Sequence, residues 1–568
     1  MGAVLFFLLV PVLFTYPLFF LGPHRIYGLQ EDITRYLHLF WCIQKNGDWL
    51  FQHRHYPQLN APWGWEVQNT AQRFFWWLGA AYSEWVSPWT FNNWVIALSF
   101  PLSGYFFFRL AFELTGSFWG SLLGGFLFMF SPWHFAKAEA YPEMASIEWV
   151  PLYGWAFLKF LKSPSFRTGI VAGLVFVAAF NFSYVLGAMM GLVSLAILLG
   201  WFFFHRLKNR PWSDLPGGAL AVFALIHGVA FFGLVWDHFS GIQSGTFTAL
   251  NAFHRTAGWK DLALGTVGLE HFFLPTYYHP LWGGAVGKIM EGLKPGSWLV
   301  EDVVNPGFVC WGLALAAMVQ LFRGKFLWEK KLGWTLVALG GMSAWLCLNP
   351  QWGKTLLPFP NVLLYNFFPA FRFYERFGVF VSFAFCLLAV MGFAGLAGAW
   401  KGRAQAILMT GLMVLAGFEL YCPTQDRILD ISKVPPEYTW LQEQPGDPIA
   451  AEYPMMTRFW KYEPRYLLWQ IYHGKRLFNL EYQNLGQKPE EVALRDDLAD
   501  FTSPKTVQKL QRFGVRYIVA HKIYYLVDQD PSRDPAPLLP RFRFAEKIPG
   551  LKLVQDWNTF SIYEVLPR

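Results

Sequence analysis

The chain has 568 residues, of which 54% are apolar, 20% aromatic and only 15% charged, with a formal net charge of +8. Soluble domains carry about 25% charged residues, so the composition excludes an ordinary soluble protein. Five scattered Cys without a CxxC pair argue against a disulfide framework or a zinc site.

The apolar residues are grouped rather than spread. A hydrocarbon core of about 30 Å is crossed by a helix of about 18 residues or more. Runs of that kind predict helical spans at 3–21, 91–110, 116–132, 146–161, 168–184, 185–204, 217–235, 304–322, 332–348, 376–399 and 403–421, about eleven in all. The first lacks a positively charged leader and a small-x-small cleavage site, which predicts an uncleaved span. With the N-terminus cytoplasmic, the short basic connections "FFFRLAFELTGS", "LKFLKSPSFR", "HRLKNRPWSD", "FRGKFLWEKK" and "WKGR" all fall on the cytoplasmic side, as the positive-inside rule requires. The opposite connections are longer and mixed in charge. The spans at 168–184 and 185–204 are separated only by "NFSYVLG".

The first outer connection opens with "RIYGLQEDITRYLHLFWCIQ", which places Glu31, Asp32 and Arg35 within one helical turn, just past the first span. Later outer segments carry "SPWHFAKAEAYPEMASIEWVPLY" with His134, Lys137, Glu139 and Glu143, then "EHFFLPTYYHPLWGG" with His279, "VEDVVNPG" with Glu301 and Asp302, and "FPNVLLYNFFPAFRFYERFG" with Arg372 and Arg376. Ionisable groups beside a bilayer are costly to desolvate and often functional. Trp, His and Arg at helix ends also serve as plain interfacial anchors.

After residue 421 the chain turns polar and mixed. Strand-like pieces "PIAAEY", "RYIVAH" and "TFSIYEVL" alternate with helix-like "EEVALRDDLADF" and "TVQKLQRFG". This predicts a polytopic all-α membrane domain, 1–421, followed by a soluble extracytoplasmic α/β domain, 422–568. A piece of that size buries a core of its own.

A first span followed by an acidic pair in a short outer loop resembles the GT-C class of membrane glycosyltransferases. "SPWHFAKAEAYPEMASIEWVPLY", "YHPLWG" and "LPFPNVLLYNFFPAFRFYERFGVF" resemble segments of bacterial GT-C-like integral membrane proteins. "LQEQPGDPIAAEYPM" and "LQRFGVRYIVAHK" resemble the extracytoplasmic C-terminal domain of that group. The chain departs from the group at "AKAEAYPEM", where Lys137 and Glu143 stand near positions that elsewhere carry His and Asn.

The resemblance implies an inverting transfer of a hexosyl or pentosyl unit from a polyprenyl-phosphate donor to a glycan, lipid or protein acceptor, on the outer face of a bacterial inner membrane. Nucleic acid is not an expected partner. That chemistry needs a base for the acceptor hydroxyl, cations for the departing phosphate and a groove for the lipid. Asp32 is the expected base, with Glu31 as the alternative. Arg372 and Arg376, four apart, are expected to share one helix face and hold phosphate. Arg35, His134, Lys137, Glu143 and His279 are further substrate-binding candidates. Carboxylates at 31, 32, 301 and 302 could supply oxygens to Mg²⁺ or Mn²⁺, although nothing in their spacing compels a metal. A transporter of lipid-linked oligosaccharide and a non-catalytic scaffold are the alternatives.

Overall fold

The computed structural model describes all residues except 1, 29–30, 49–54, 67–72, 208–216, 244–258, 296–298, 353–354, 368–370, 399, 401, 456–462, 480–497, 499, 528–547 and 568. Each predicted apolar run holds a helix. In chain order these are α1 (Gly2–Phe14), the outer helix α2 (Glu31–Asn46), α3 (Pro88–Thr115), α4 (Phe118–Met129), the short α5 (Pro132–Ala140), α6 (Trp149–Lys162), α7 (Phe166–Phe182) and α8 (Tyr184–Leu207). They continue as α9 (Gly217–Gln243), α10 (Phe308–Phe322), α11 (Lys330–Cys347), α12 (Gly378–Ala397) and α13 (Arg403–Glu419).

Among the described residues two helical segments, Pro88–Thr115 and Tyr374–Ala397, are both long and apolar enough to cross a membrane. Five further apolar helical stretches of 10–17 residues occur among the described residues, and α4, at 12 residues, covers only about 18 Å. Two of the eleven predicted spans, 91–110 and 376–399, are therefore met at full length among the described residues. The shortening is local chemistry. Ser117 caps α4 by accepting from the Gly120 amide, and Ser131–Pro132 stops it and starts α5. Between α7 and α8 a single extended residue, Ser183, breaks the helix.

Helix α12 is the central post, buried along most of its length against α4, α10 and α11. Glycine permits the approach. A side chain at Gly392 would stand 1.9 Å from the Leu313 carbonyl of α10, and one at Gly124 would stand 2.3 Å from Val390. The outside of the bundle is apolar, and Leu174, Leu225, Val229, Leu315, Ile407 and Val414 are each more than half exposed. That much greasy surface belongs in lipid, and the helical part is an integral membrane domain.

The C-terminal part is built on a five-stranded mixed sheet. Its strands are β3 (Ile449–Tyr453), β4 (Arg476–Leu477), β5 (Val515–His521), β6 (Leu551–Asp556) and β7 (Phe560–Val565), in the spatial order β6-β7-β5-β3-β4. β4, β3 and β5 run parallel and β5, β7 and β6 antiparallel. The predicted strands coincide with β3, β5 and β7. The predicted helix at "TVQKLQRFG" is α16 (Pro504–Arg512), stopped by Gly514 at φ +73°. Most of "EEVALRDDLADF" lies outside the described residues.

This unit is not a separate bead. β1 (Arg25–Tyr27) pairs antiparallel with β2 (Ile428–Asp430), and α2 packs on α15 (Glu463–His473), with α14 (Pro436–Glu443) beside it. Ile33, Leu37, Phe40 and Ile43 of α2 share one core with Tyr438, Leu467, Leu468 and Val519. The amphipathic α2 is the floor on which the α/β unit rests.

His38 sits at that junction, fully buried, with Nε2 2.7 Å from Gln470 Oε1. Burial pulls its pKa from 6.5 down to about 4, against a smaller opposing effect of Gln470. A folded pKa below the unfolded one means the unfolded chain takes up the proton first, so stability falls as pH drops from about 6.5 to about 4. Thermal unfolding followed over that window should lose up to about 3 kcal/mol from this group, and His38→Gln should flatten that part of the profile.

Candidate active site

Two buried ionic clusters flank α5 beneath β1 and α2. In the first, the Lys137 ammonium, with no exposed side-chain surface, donates to the Glu301 carboxylate and, at 2.9 Å, to the Val300 carbonyl. Arg376 meets the same carboxylate side-on, with Nη2 2.5 Å and Nε 3.2 Å from Oε1. Its guanidinium also lies 4.6 Å from the Phe373 ring centroid and 5.1 Å from that of Tyr141. Burial alone would raise the Glu301 pKa, but the charges of Arg376 and Lys137 outweigh it and hold the carboxyl well below the usual range. Two cations on one anion leave a net single positive charge in a site walled by rings.

Beside it Lys294 binds Asp302 at 2.5 Å and the Leu264 carbonyl at 2.7 Å. Glu375 is fully buried next to this group, and neither of its carboxyl oxygens has a hydrogen-bond partner among the described residues.

In the second cluster Glu139 pairs with Arg427 at 3.2 Å, and Arg427 lies 4.9 Å from the Tyr278 ring centroid. Tyr277 donates to Tyr278 at 2.6 Å. Burial raises the pKa of all three hydroxyls of Tyr27, Tyr277 and Tyr278, and Glu139 adds to it. They stay neutral.

Strand β1 and Gly28 after it are set onto this ground by their backbone. Asn93 accepts from the Tyr27 amide at 2.9 Å and donates to the Arg25 carbonyl at 2.7 Å. The Gly28 amide donates to the Arg427 carbonyl at 2.8 Å. Gly28 has φ +91°, and a side chain there would stand 2.2 Å from Ile33 Cδ1 and 2.5 Å from the Glu139 carbonyl oxygen. The chain thus enters α2, whose first residues are Glu31 and Asp32, in direct contact with the Glu139 turn of α5. The side chains of Glu31 and Asp32 lie outside the described residues. Arg35 lies one turn further along α2, and Tyr36 donates to Glu143 at 2.8 Å, tying α2 to the turn after α5. Gly28→Ala combines left-handed strain with a backbone collision and should tilt the start of α2 off α5. The expected outcome is a fall of about 10²-fold in any reaction that depends on residues 31 and 32, read as initial rate, with the α/β unit still folded.

Other predicted site residues have different duties. His134 is sealed in the core, with Nδ1 2.7 Å from the Met129 carbonyl, Nε2 2.8 Å from Ser99 Oγ and its ring stacked on Phe100 at 4.1 Å. Both nitrogens are engaged, so it is a packing residue here. His279 accepts from the Leu281 amide at 3.1 Å through Nδ1, lies 2.9 Å from the Phe418 carbonyl through Nε2 and stacks on Trp282. It fastens its loop to the end of α13. Arg372 and Arg376 do not share a helix face. The segment Tyr374–Phe377 is a single 3-10 turn, so Arg376 points inward while Arg372 stays half-buried, over Phe373 at 4.7 Å. Of the four carboxylates considered for a metal, Glu301 is held by two cations and Asp302 by Lys294, while the side chains of Glu31 and Asp32 lie outside the described residues. No group of three suitable His, Cys, Asp or Glu side chains occurs among the described residues.

Sequence reasoning did not single out Asn92, Asn93, Lys294, Arg427 or the Tyr277–Tyr278 pair as functional. A readable signal existed for one. "NNW" opens an apolar run with two amides, which a helix start does not need and a strand clamp does.

Arabinofuranosyltransferase AftD from mycobacteria superposes on all of this chain with a TM-score of 0.53 at 14% identity, the match covering 40% of AftD. The chain therefore spans less than half the length of that relative. ArnT from Cupriavidus metallidurans aligns over 100% of this chain and 98% of its own, with TM-score 0.51 and 13% identity. The chain has a GT-C-like fold. The Archaeoglobus fulgidus oligosaccharyltransferase, in its complex with Zn and sulfate, shares the GT-C-like arrangement over 99% of this chain and 72% of its own, with TM-score 0.50 and 13% identity. No family model and no curated protein matches the sequence. At such identities the GT-C-like likeness speaks for architecture, and chemistry has to be argued from this chain's own residues.

Proposed function

We propose that the chain is a membrane glycosyltransferase that moves a sugar from a polyprenyl-phosphate donor to an acceptor on the extracytoplasmic face of a bacterial inner membrane, with inversion. One observation supports this reading above the others. The loop that delivers the acidic pair 31–32 rests on α5, and the same short helix carries Lys137, which with Arg376 leaves one uncompensated positive charge. A base and an anion-stabilising charge on one short helix's surroundings are what this transfer requires.

In the proposed step Asp32 takes the acceptor hydroxyl proton as that oxygen attacks the anomeric carbon. The carbon–oxygen bond to phosphate breaks, and its electron pair leaves with the polyprenyl phosphate. Arg376 and Lys137 stabilise the charge that grows on the phosphate, and Arg372 guides the headgroup from the surface. Attack from the face opposite the departing phosphate inverts the anomeric centre. The α/β unit, joined to the first outer loop through β1–β2 and α2, shapes the acceptor side.

The test is the full chain in vesicles with polyprenyl-phosphate-linked hexose or pentose and a mixed acceptor pool, scored by release of polyprenyl phosphate. Sugar-dependent release supports the enzyme. Donor binding without release, by a chain that keeps its fold, removes the catalytic reading in favour of a carrier or scaffold.

A further inference from the structure

A groove of about 400 Å³ runs along the opposite end of the bundle from the ionic clusters, lined by Gly312, Leu315, Ala316, Val319, Arg323 and Leu396 together with Gln320 and Lys325. It exists because of residue size. Gly312 and Ala316, four apart on α10, leave a trough, and at Gly312 a side chain would meet nothing within 4 Å. Its walls Leu315, Val319 and Leu396 are exposed, and Phe322 at its edge is 72% exposed, so the trough opens to lipid.

The mouth of the groove is charged. Helix α10 ends in a turn in which the Lys325 amide donates to the Gln320 carbonyl at 2.9 Å and the Gly324 amide to the Leu321 carbonyl at 3.2 Å, with Gly324 at φ +71°. This is the paired closure that left-handed glycine permits at a helix end. It folds the chain back so that Arg323 and Lys325, both exposed, stand over the trough. Neither makes an ion pair among the described residues, and the helix C-terminus itself favours cations. Gln320 adds a buried amide oxygen with no hydrogen-bond donor among the described residues. Helix α12 starts beside Arg376, and α10 runs along it with Cys310 facing Cys386 and Gln320 facing Gly395, so this mouth lies at the end of both helices away from the Glu301–Arg376 cluster.

We infer that this groove binds an anionic glycerophospholipid, with one acyl chain in the Gly312–Ala316 trough, the phosphate on Arg323 and Lys325, and a headgroup hydroxyl on Gln320. A zwitterionic lipid fills the trough equally well but brings an ammonium that the two cations repel. The basic stretch 323–331 makes this the cytoplasmic-leaflet end under the positive-inside rule, where anionic headgroups gather. The site is independent of the proposed transfer reaction.

The experiment is native mass spectrometry of the full chain after exchange into micelles holding equal phosphatidylglycerol and phosphatidylcholine. The wild type should retain phosphatidylglycerol on the order of tenfold in excess. Arg323→Ala with Lys325→Ala should bring the ratio to about one, and Gly312→Leu should reduce retention of both lipids. All three positions are exposed, and an unchanged thermal midpoint confirms the fold. Equal retention by the wild type, a preference that survives the double substitution, or displacement of phosphatidylglycerol by equimolar polyprenyl phosphate would each overturn the assignment.

Discussion

Asp32→Asn is expected to slow sugar transfer by about 10³-fold while leaving the thermal midpoint close to the wild-type value. General-base assistance is worth roughly 10²–10⁴ in rate, and an amide of the same shape cannot take the proton. The strand and turn that lead to residue 32 are held by other groups. Asn93 and Arg427 hold the strand and turn ahead of α2, Gly28 seats that turn on Glu139, and Tyr36 ties the next turn to Glu143. The loss should therefore fall on kcat, with the donor KM nearly unchanged, because a base acts only in the transition state. Steady-state release of polyprenyl phosphate across donor concentrations separates the two. If Asp32→Asn retains transfer within a few-fold of wild type, the base is elsewhere and Glu31→Gln is the next variant. If KM rises and kcat holds, the residue binds donor instead, and the proposed proton transfer is wrong.

Much of the architecture could be read from apolar runs, because lipid leaves the backbone few choices. Helices α3 and α12 are where "PWTFNNWVIALSF" and "GVFVSFAFCLLAV" put them, and β5 follows a glycine stop as the sequence suggested. The helix breaks at Ser131–Pro132 and at Ser183 lie at the ends predicted for the spans 116–132 and 168–184. The polar site was the least legible part. Lys137 lies 164 residues from Glu301, and Glu301 lies 75 from Arg376, so no local spacing announces that they meet. Glu301 and Asp302 looked like metal ligands because their cations were out of sight. Arg372 and Arg376 looked like one helix face because a period of 3.6 was assumed where the chain makes a 3-10 turn. His134 looked like a loop ligand because "SPWHF" does not reveal that Phe100 and Ser99 of α3 enclose its ring. For the acids and the histidine a distant partner decided the role, and for the two arginines the local geometry itself differed.

Glu301→Gln should be the most destabilising single substitution in the membrane domain's outer end, at about 3–5 kcal/mol, the range for stripping the partner from buried charges. Glu301 is the only carboxylate that Lys137 and Arg376 both touch among the described residues. An amide oxygen can still accept one hydrogen bond, but it leaves two cations buried side by side with no compensating charge. Lys137→Met is a different case. It keeps the side-on Arg376–Glu301 pair, now neutral overall, and its flexible stem fills the space left beside Trp133 and Tyr141. It should cost about 1–2 kcal/mol, yet it removes the net positive charge assigned to the departing phosphate. The pair of variants therefore separates folding from chemistry. Thermal unfolding in detergent should rank Glu301→Gln well below Lys137→Met, while donor turnover by the folded fraction should fall at least tenfold in Lys137→Met. Full turnover in a folded Lys137→Met protein would show that the cluster is only a fastener between α5, the 299–305 loop and the start of α12, and that the leaving phosphate is stabilised by other groups.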